Sequence, residues 1–222
     1  MTDTNRLART AGALYLLTFA TSIPALALKT PFLVGATADP TALRWAVVLE
    51  LVLAAACVGT AVALLPILRR RSETLAVGFV ASRTLEAAII VTGVLAMLAI
   101  VSVGATEGSP ALSALHDWAF LLGPGILPAV NAMLLAPALL LAGLVPRVIP
   151  IVGLIGAPLL LASAGATLFG VVDQVSTIAG LAAAPIALWE FTLGVWLLVR
   201  GVREPQRQVE ATVGDGAGML RG

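Results

Sequence analysis

The sequence predicts an all-α, polytopic transmembrane helical bundle with six spans and both termini cytoplasmic, and three observations predict it. Only 11% of the 222 residues are charged, 59% are hydrophobic, and the mean hydropathy is +1.04. A soluble domain carries about 25% charged residues, so this chain lacks the polar surface that life in water requires. That excludes a soluble enzyme, a disordered chain and a nucleic-acid binder. Next, apolar runs recur at the length of a span, about 20 residues for a hydrocarbon core of ~30 Å. Finally, Lys and Arg gather at one set of run ends, as cytoplasmic loops do.

The elements follow in order. Residues 1–10, with Arg6 and Arg9, form a cytoplasmic N-terminus ahead of the first span at 11–28. Ala25-Leu26-Ala27 at the end of that run also fits a small-residue cleavage site, which leaves a signal peptide as the alternative, although the run is long for one. Lys29-Thr30-Pro31 and Asp39-Pro40 punctuate the return to a second span at 45–68, and Arg69, Arg70 and Arg71 turn the chain into a third at 75–101. Gly108-Ser109-Pro110 precedes a long fourth span at 114–142, and Pro146-Arg147 leads to a fifth at 148–171. The sixth lies at 178–199, and residues 200–222 read as a disordered cytoplasmic tail. The Gly-rich run at 214–218 in that tail has no preceding strand and is no phosphate loop. Each run is expected to be helical, because lipid satisfies no backbone group and the alternation of a β-barrel is absent. Arg147, Arg200, Arg203 and Arg207 join the basic set, against only Lys29 and Arg44 at the other ends. The bilayer of the inner membrane is the expected partner, and small-xxx-small pairs such as Ala55/Gly59 and Gly153/Ala157 offer faces for homo-oligomer contacts.

Cys57 is the lone cysteine and His116 the lone histidine, which removes metal motifs and two-histidine haem; no cofactor and no metal are expected. The chemistry rests on ionisable groups inside spans, where each is costly. Helix rise places Arg83 ~12 Å and Glu86 ~17 Å from the cytoplasmic start of the third span, while Glu190 lies ~18 Å from the outside on the sixth. Arg83 and Glu86 are i,i+3 neighbours on one face. An Arg83–Glu190 ion pair is therefore expected, with Glu86 and Glu50 beside it, since guanidinium needs an anionic partner. One cation against three carboxylates makes a site that could respond to protons or cations. His116, Asp117 and Asp173 are placed near the outer mouth, and Asn131 is read as an interhelical hydrogen bond. Gly123-Pro124-Gly125, Pro128 and Pro137 are expected to break the fourth span, and the Gly-Pro-Gly stretch to open a cavity wall beneath His116 and Asp117; Pro158 and Pro185 could act likewise on a smaller scale.

The chain resembles an uncharacterised bacterial integral-membrane family catalogued as domain of unknown function 4386. The resemblance runs through RLARTAGALYLLTF at 6–19, SRTLEAAII at 82–90, His116, PRVIPIVGLIGAPLLL at 146–161, Asp173 and PIALWEFTLGVWLLVRG at 185–201. It implies six membrane helices and maps the family's polar positions onto Arg83, Glu86, His116, Asp173 and Glu190. Similar sequences often carry a Tyr where Gly170 stands here, so no Tyr–Asp pair is carried over. Three functions are compatible: transport or binding of a small molecule or proton at an externally open Arg/Glu site, a structural or regulatory subunit, and an intramembrane enzyme on a lipid-like substrate. In the last, Glu86 or Glu190 would serve as base and His116 as acid.

Overall fold

A computed structural model describes residues 3–33, 39–103 and 109–203. Among these there are seven helices: α1 (Asp3–Leu33), α2 (Pro40–Leu68), α3 (Glu73–Val103), α4 (Ser109–Leu122), α5 (Leu127–Ala142), α6 (Val148–Leu168) and α7 (Thr177–Arg200). α4 and α5 together make one crossing, Pro110–Ala142, so the described residues contain six segments long and apolar enough to span a membrane. The protein is a multi-pass membrane bundle. Exposed Trp45, Trp118, Leu141, Val148, Ile178 and Leu188 present apolar surface outward, as lipid requires.

Local chemistry sets the ends. Asp39 caps α2 by accepting from Thr41 N at 2.9 Å, and Ser176 caps α7 by accepting from Ala179 N at 3.3 Å. Gly143 ends α5 in the left-handed conformation at φ 62°. The helices run longer than the apolar runs suggest. Lys29-Thr30-Pro31, read as a boundary, lies inside α1, while the fifth crossing stops at Leu168 rather than 171. The tail from 204 lies outside the described residues.

The fourth crossing breaks where the Gly-Pro-Gly stretch stands, and the hydrogen bonds show why. Pro124 has no N–H to give the Phe120 carbonyl, so Gly125 N reaches back five residues and donates to it at 3.1 Å. Leu127 N then donates to Gly123 O at 3.0 Å, and Pro128 sits at the start of α5, where its missing N–H costs nothing. The expectation that Pro137 also interrupts the crossing is corrected: α5 continues through it, as α6 does through Pro158 and α7 through Pro185.

The bundle closes as a ring, with α1 on α2, α2 on α3, α3 on α5, α5 on α6, α6 on α7 and α7 back on α1; α4 packs on α3. Close crossings rest on glycines. A Cβ at Gly12 would lie 2.7 Å from Gly194 O, and one at Gly153 would lie 2.6 Å from the Trp189 ring. Gly153 and Ala157 are buried within the chain, so this small-residue face is already occupied. Gly59 packs against Leu14. The main core (including Tyr15, Leu64, Phe79, Leu135, Trp189, Leu193 and Leu197) fills the half of the bundle nearest the arginine-bearing ends. There Val202 N donates to Asn5 Oδ1 at 3.2 Å and Arg203 N to Leu144 O at 2.9 Å. The other half holds smaller apolar clusters of α2 and α3, around Leu53 and Ile90 and around Val47 and Met97, beside a set of cavities.

Candidate functional site

Three chambers with shared walls lie in the half of the bundle away from the main core. The central one, about 390 Å³, lies between α1, α2, α3, α4 and α7. Beneath it a chamber of about 180 Å³ ends on Arg83, Glu86, Glu190 and Cys57. The two share Phe19, Ser22, Leu53, Ile90, Pro124, Ala183 and Ala187, so they form one cleft. A lateral chamber of about 340 Å³ between α4, α6 and α7 meets them at Pro124 and Ala183. Pro124 borders all three, which gives the helix break a definite consequence: it makes room.

The lower chamber ends on a buried charge layer at the boundary with the solid core. Arg83 is 2% exposed on α3, and its Nη1 donates to Glu86 Oε2 at 2.9 Å one turn away. Asn131 on α5 donates through Nδ2 to the same Oε2 at 2.6 Å. Arg83 Nη1 also lies 3.7 Å from Cys57 Sγ, and the guanidinium stacks 5.0 Å from the Tyr15 ring centroid. Three helices thus hold this cation before Glu190 is counted, and α5 braces its carboxylate partner. Glu190, on α7, approaches from the far side with Oε1 3.5 Å from Arg83 Nη2, and neither atom has a hydrogen bond. Glu86 is held by two donors, both at Oε2, whereas Glu190 Oε1 has no hydrogen bond.

The structure separates residues that sequence reasoning grouped. Glu50 does not join Arg83: it pairs with Lys29 of α1 and lines the central chamber. Lys29 is 1% exposed, with Nζ 4.3 Å from the Phe120 ring centroid. It is therefore a site residue and not a marker of the outer loops. His116 is not at a wet helix end either, for it is 1% exposed and its Nδ1 faces Gly93 O at 3.2 Å. His116 lines the central chamber and the two glutamates the lower one, and the imidazole hydrogen-bonds neither glutamate, its Nε2 being without a partner. Asp117 is half-buried with its carbonyl accepting from Gln174 Nε2 at 3.2 Å, and Asp173 is exposed; neither lines these chambers. Among the described residues no group of three or more His, Cys, Asp or Glu side chains comes together to hold a metal.

The family model described as "Domain of unknown function (DUF4386)" matches residues 10–201, which takes in every residue of both charge layers. No curated protein and no solved structure matches the chain.

Proposed function

The chain belongs to the family described as domain of unknown function 4386, and from that premise we propose a multi-pass protein of the bacterial inner membrane that binds or carries a small molecule or a proton through its cleft. The basic ends, with Arg69, Arg70, Arg71, Arg147 and Arg200 exposed, face the cytoplasm, as the asymmetry of positive charge directs. The cleft then opens to the external side, away from the solid core.

The observation that carries this reading is the unequal engagement of two carboxylates around one arginine. A purely structural network satisfies every member, because a half-satisfied buried polar group is expensive. Glu86 comes nearer that standard, its Oε2 held by both Arg83 and Asn131. Glu190 does not: its Oε1 stands 3.5 Å from Arg83 Nη2 without a hydrogen bond, at the wall of the chamber that Arg83 and Glu86 also border. A carboxylate so placed can take up a proton, or the cationic group of a ligand, without dismantling the Arg83–Glu86–Asn131 network. Infrared titration of carboxyl stretches in the purified protein tests this. Wild type should show a titrating buried carboxyl band that Glu190→Gln removes and Glu86→Gln does not. A band that survives Glu190→Gln, or no band at all, would overturn it.

A second reading, a structural or regulatory membrane subunit, is favoured by the Glu86 half of the layer, which ties α3 to α5. It predicts that Glu190→Gln changes nothing but stability.

A further inference from the structure

The Arg83 layer leaves the second buried ion pair unexplained. Lys29 gives its ammonium to Glu50 Oε1, and the same Nζ sits 4.3 Å from the centroid of Phe120. A carboxylate and an aromatic face around one ammonium are the elements of an amine-binding site. The pair borders about 390 Å³ of space whose other walls include Phe19, Ile23, Leu26 and Ile89, a volume and apolar lining typical of small-molecule sites.

A third polar group completes the site and is not used by Lys29. The Gly93 carbonyl facing His116 Nδ1 can only accept, so Nδ1 carries the ring proton and Nε2 of the neutral ring is an acceptor. Nε2 is buried without a partner in a side chain that lines the chamber. An ammonium has three N–H donors. Lys29, tethered from α1, directs its charge to Glu50 and Phe120 and leaves the imidazole free.

We infer that the central chamber is a binding site for a primary or secondary organic ammonium with an apolar body, occupied in the ligand-free protein by the chain's own Lys29. The ligand's nitrogen takes the place of Nζ between Glu50 and Phe120 and donates to His116 Nε2, while its body lies against Phe19, Ile23, Leu26 and Ile89. Lys29 stands within one turn of the end of α1, so its four-carbon stem can carry the displaced ammonium toward the external interface. The site lies apart from the Arg83 layer and does not rest on the reading given for Glu190.

Because Lys29 competes with the ligand, the test has a sign that a structural salt bridge would not produce. Binding of radiolabelled 2-phenylethylammonium to the detergent-solubilised full chain is measured by equilibrium dialysis, with folding checked by size-exclusion chromatography. Lys29→Met should bind at least tenfold more tightly than wild type. The Lys29→Met/Glu50→Gln double variant, which removes both charges and leaves no unpaired ion, should lose that binding, and neutral 2-phenylethanol should not compete. Binding in Lys29→Met no tighter than in wild type, binding retained in the double variant, or equal competition by the alcohol would each overturn the assignment. The infrared result at Glu190 can come out either way without affecting this one.

Discussion

A guanidinium keeps its proton even in an apolar interior, so Arg83 obliges the residues around it to supply negative charge. Glu86 supplies it at 2.9 Å and Asn131 holds the same oxygen from α5. Removing one partner of a buried, hydrogen-bonded pair costs about 3–5 kcal/mol, much of it from the charge left behind. Glu86→Gln is accordingly expected to destabilise the protein by about 3 kcal/mol, and Glu190→Gln, whose contact is 3.5 Å without a hydrogen bond, by about 1 kcal/mol or less. Unfolding in mixed micelles, followed by far-ultraviolet circular dichroism, would order the two variants. The Arg83–Glu86 half of this layer was legible from i,i+3 spacing, and Glu190 from depth along α7. Lys29 was not, because a lysine at the end of an apolar run reads as a boundary residue. Only the packing of α1 on α2 puts its ammonium against Glu50.

At the scale of the element, proline chemistry decides where the cleft can be. Pro124 forces the Phe120 carbonyl to take its hydrogen bond from Gly125, and the crossing splits into α4 and α5 at that point. The other internal prolines leave their helices continuous. The Gly-Pro-Gly motif therefore announced the break, whereas Pro137 does not interrupt its helix; neighbouring helices tolerate such gaps in the ladder. Glycines decide how closely the remaining helices approach. Gly153→Ala places a methyl 2.6 Å from the Trp189 ring and should cost about 1–3 kcal/mol. Gly165→Ala, with nothing within 4 Å, should instead gain about 0.5 kcal/mol from the reduced flexibility of the unfolded chain. Thermal midpoints of the two variants in one detergent would read the difference in sign.

Over the whole molecule the main core lies toward the basic end and the cleft toward the other, with the Arg83 layer at the boundary. The proposed orientation makes access to the cleft one-sided, from the external face. Ala187 borders both the central and the lower chamber. In a Cys57→Ser background, Ala187→Cys should react with a membrane-impermeant thiol reagent added from the external side of oriented vesicles, and not from the cytoplasmic side. Labelling from the cytoplasmic side would reverse the proposed orientation. Protection of the same cysteine by 2-phenylethylammonium would follow from occupancy of the central chamber.

By itself the sequence determined the solvent and the frame: composition required lipid, run length set six crossings, and arginine placement marked one end of the bundle. It also singled out Arg83, Glu86 and Glu190, because buried charge is rare enough for spacing and depth to be informative. The tertiary structure alone decided the partnerships. It drew Glu50 away to Lys29, buried His116 against Gly93, and left Asp117 and Asp173 outside the chambers. The physical reason is that helix periodicity orders residues along one axis only. Which side chains meet across axes depends on glycine contacts and on one helix break, features that act between elements and carry no charge pattern of their own.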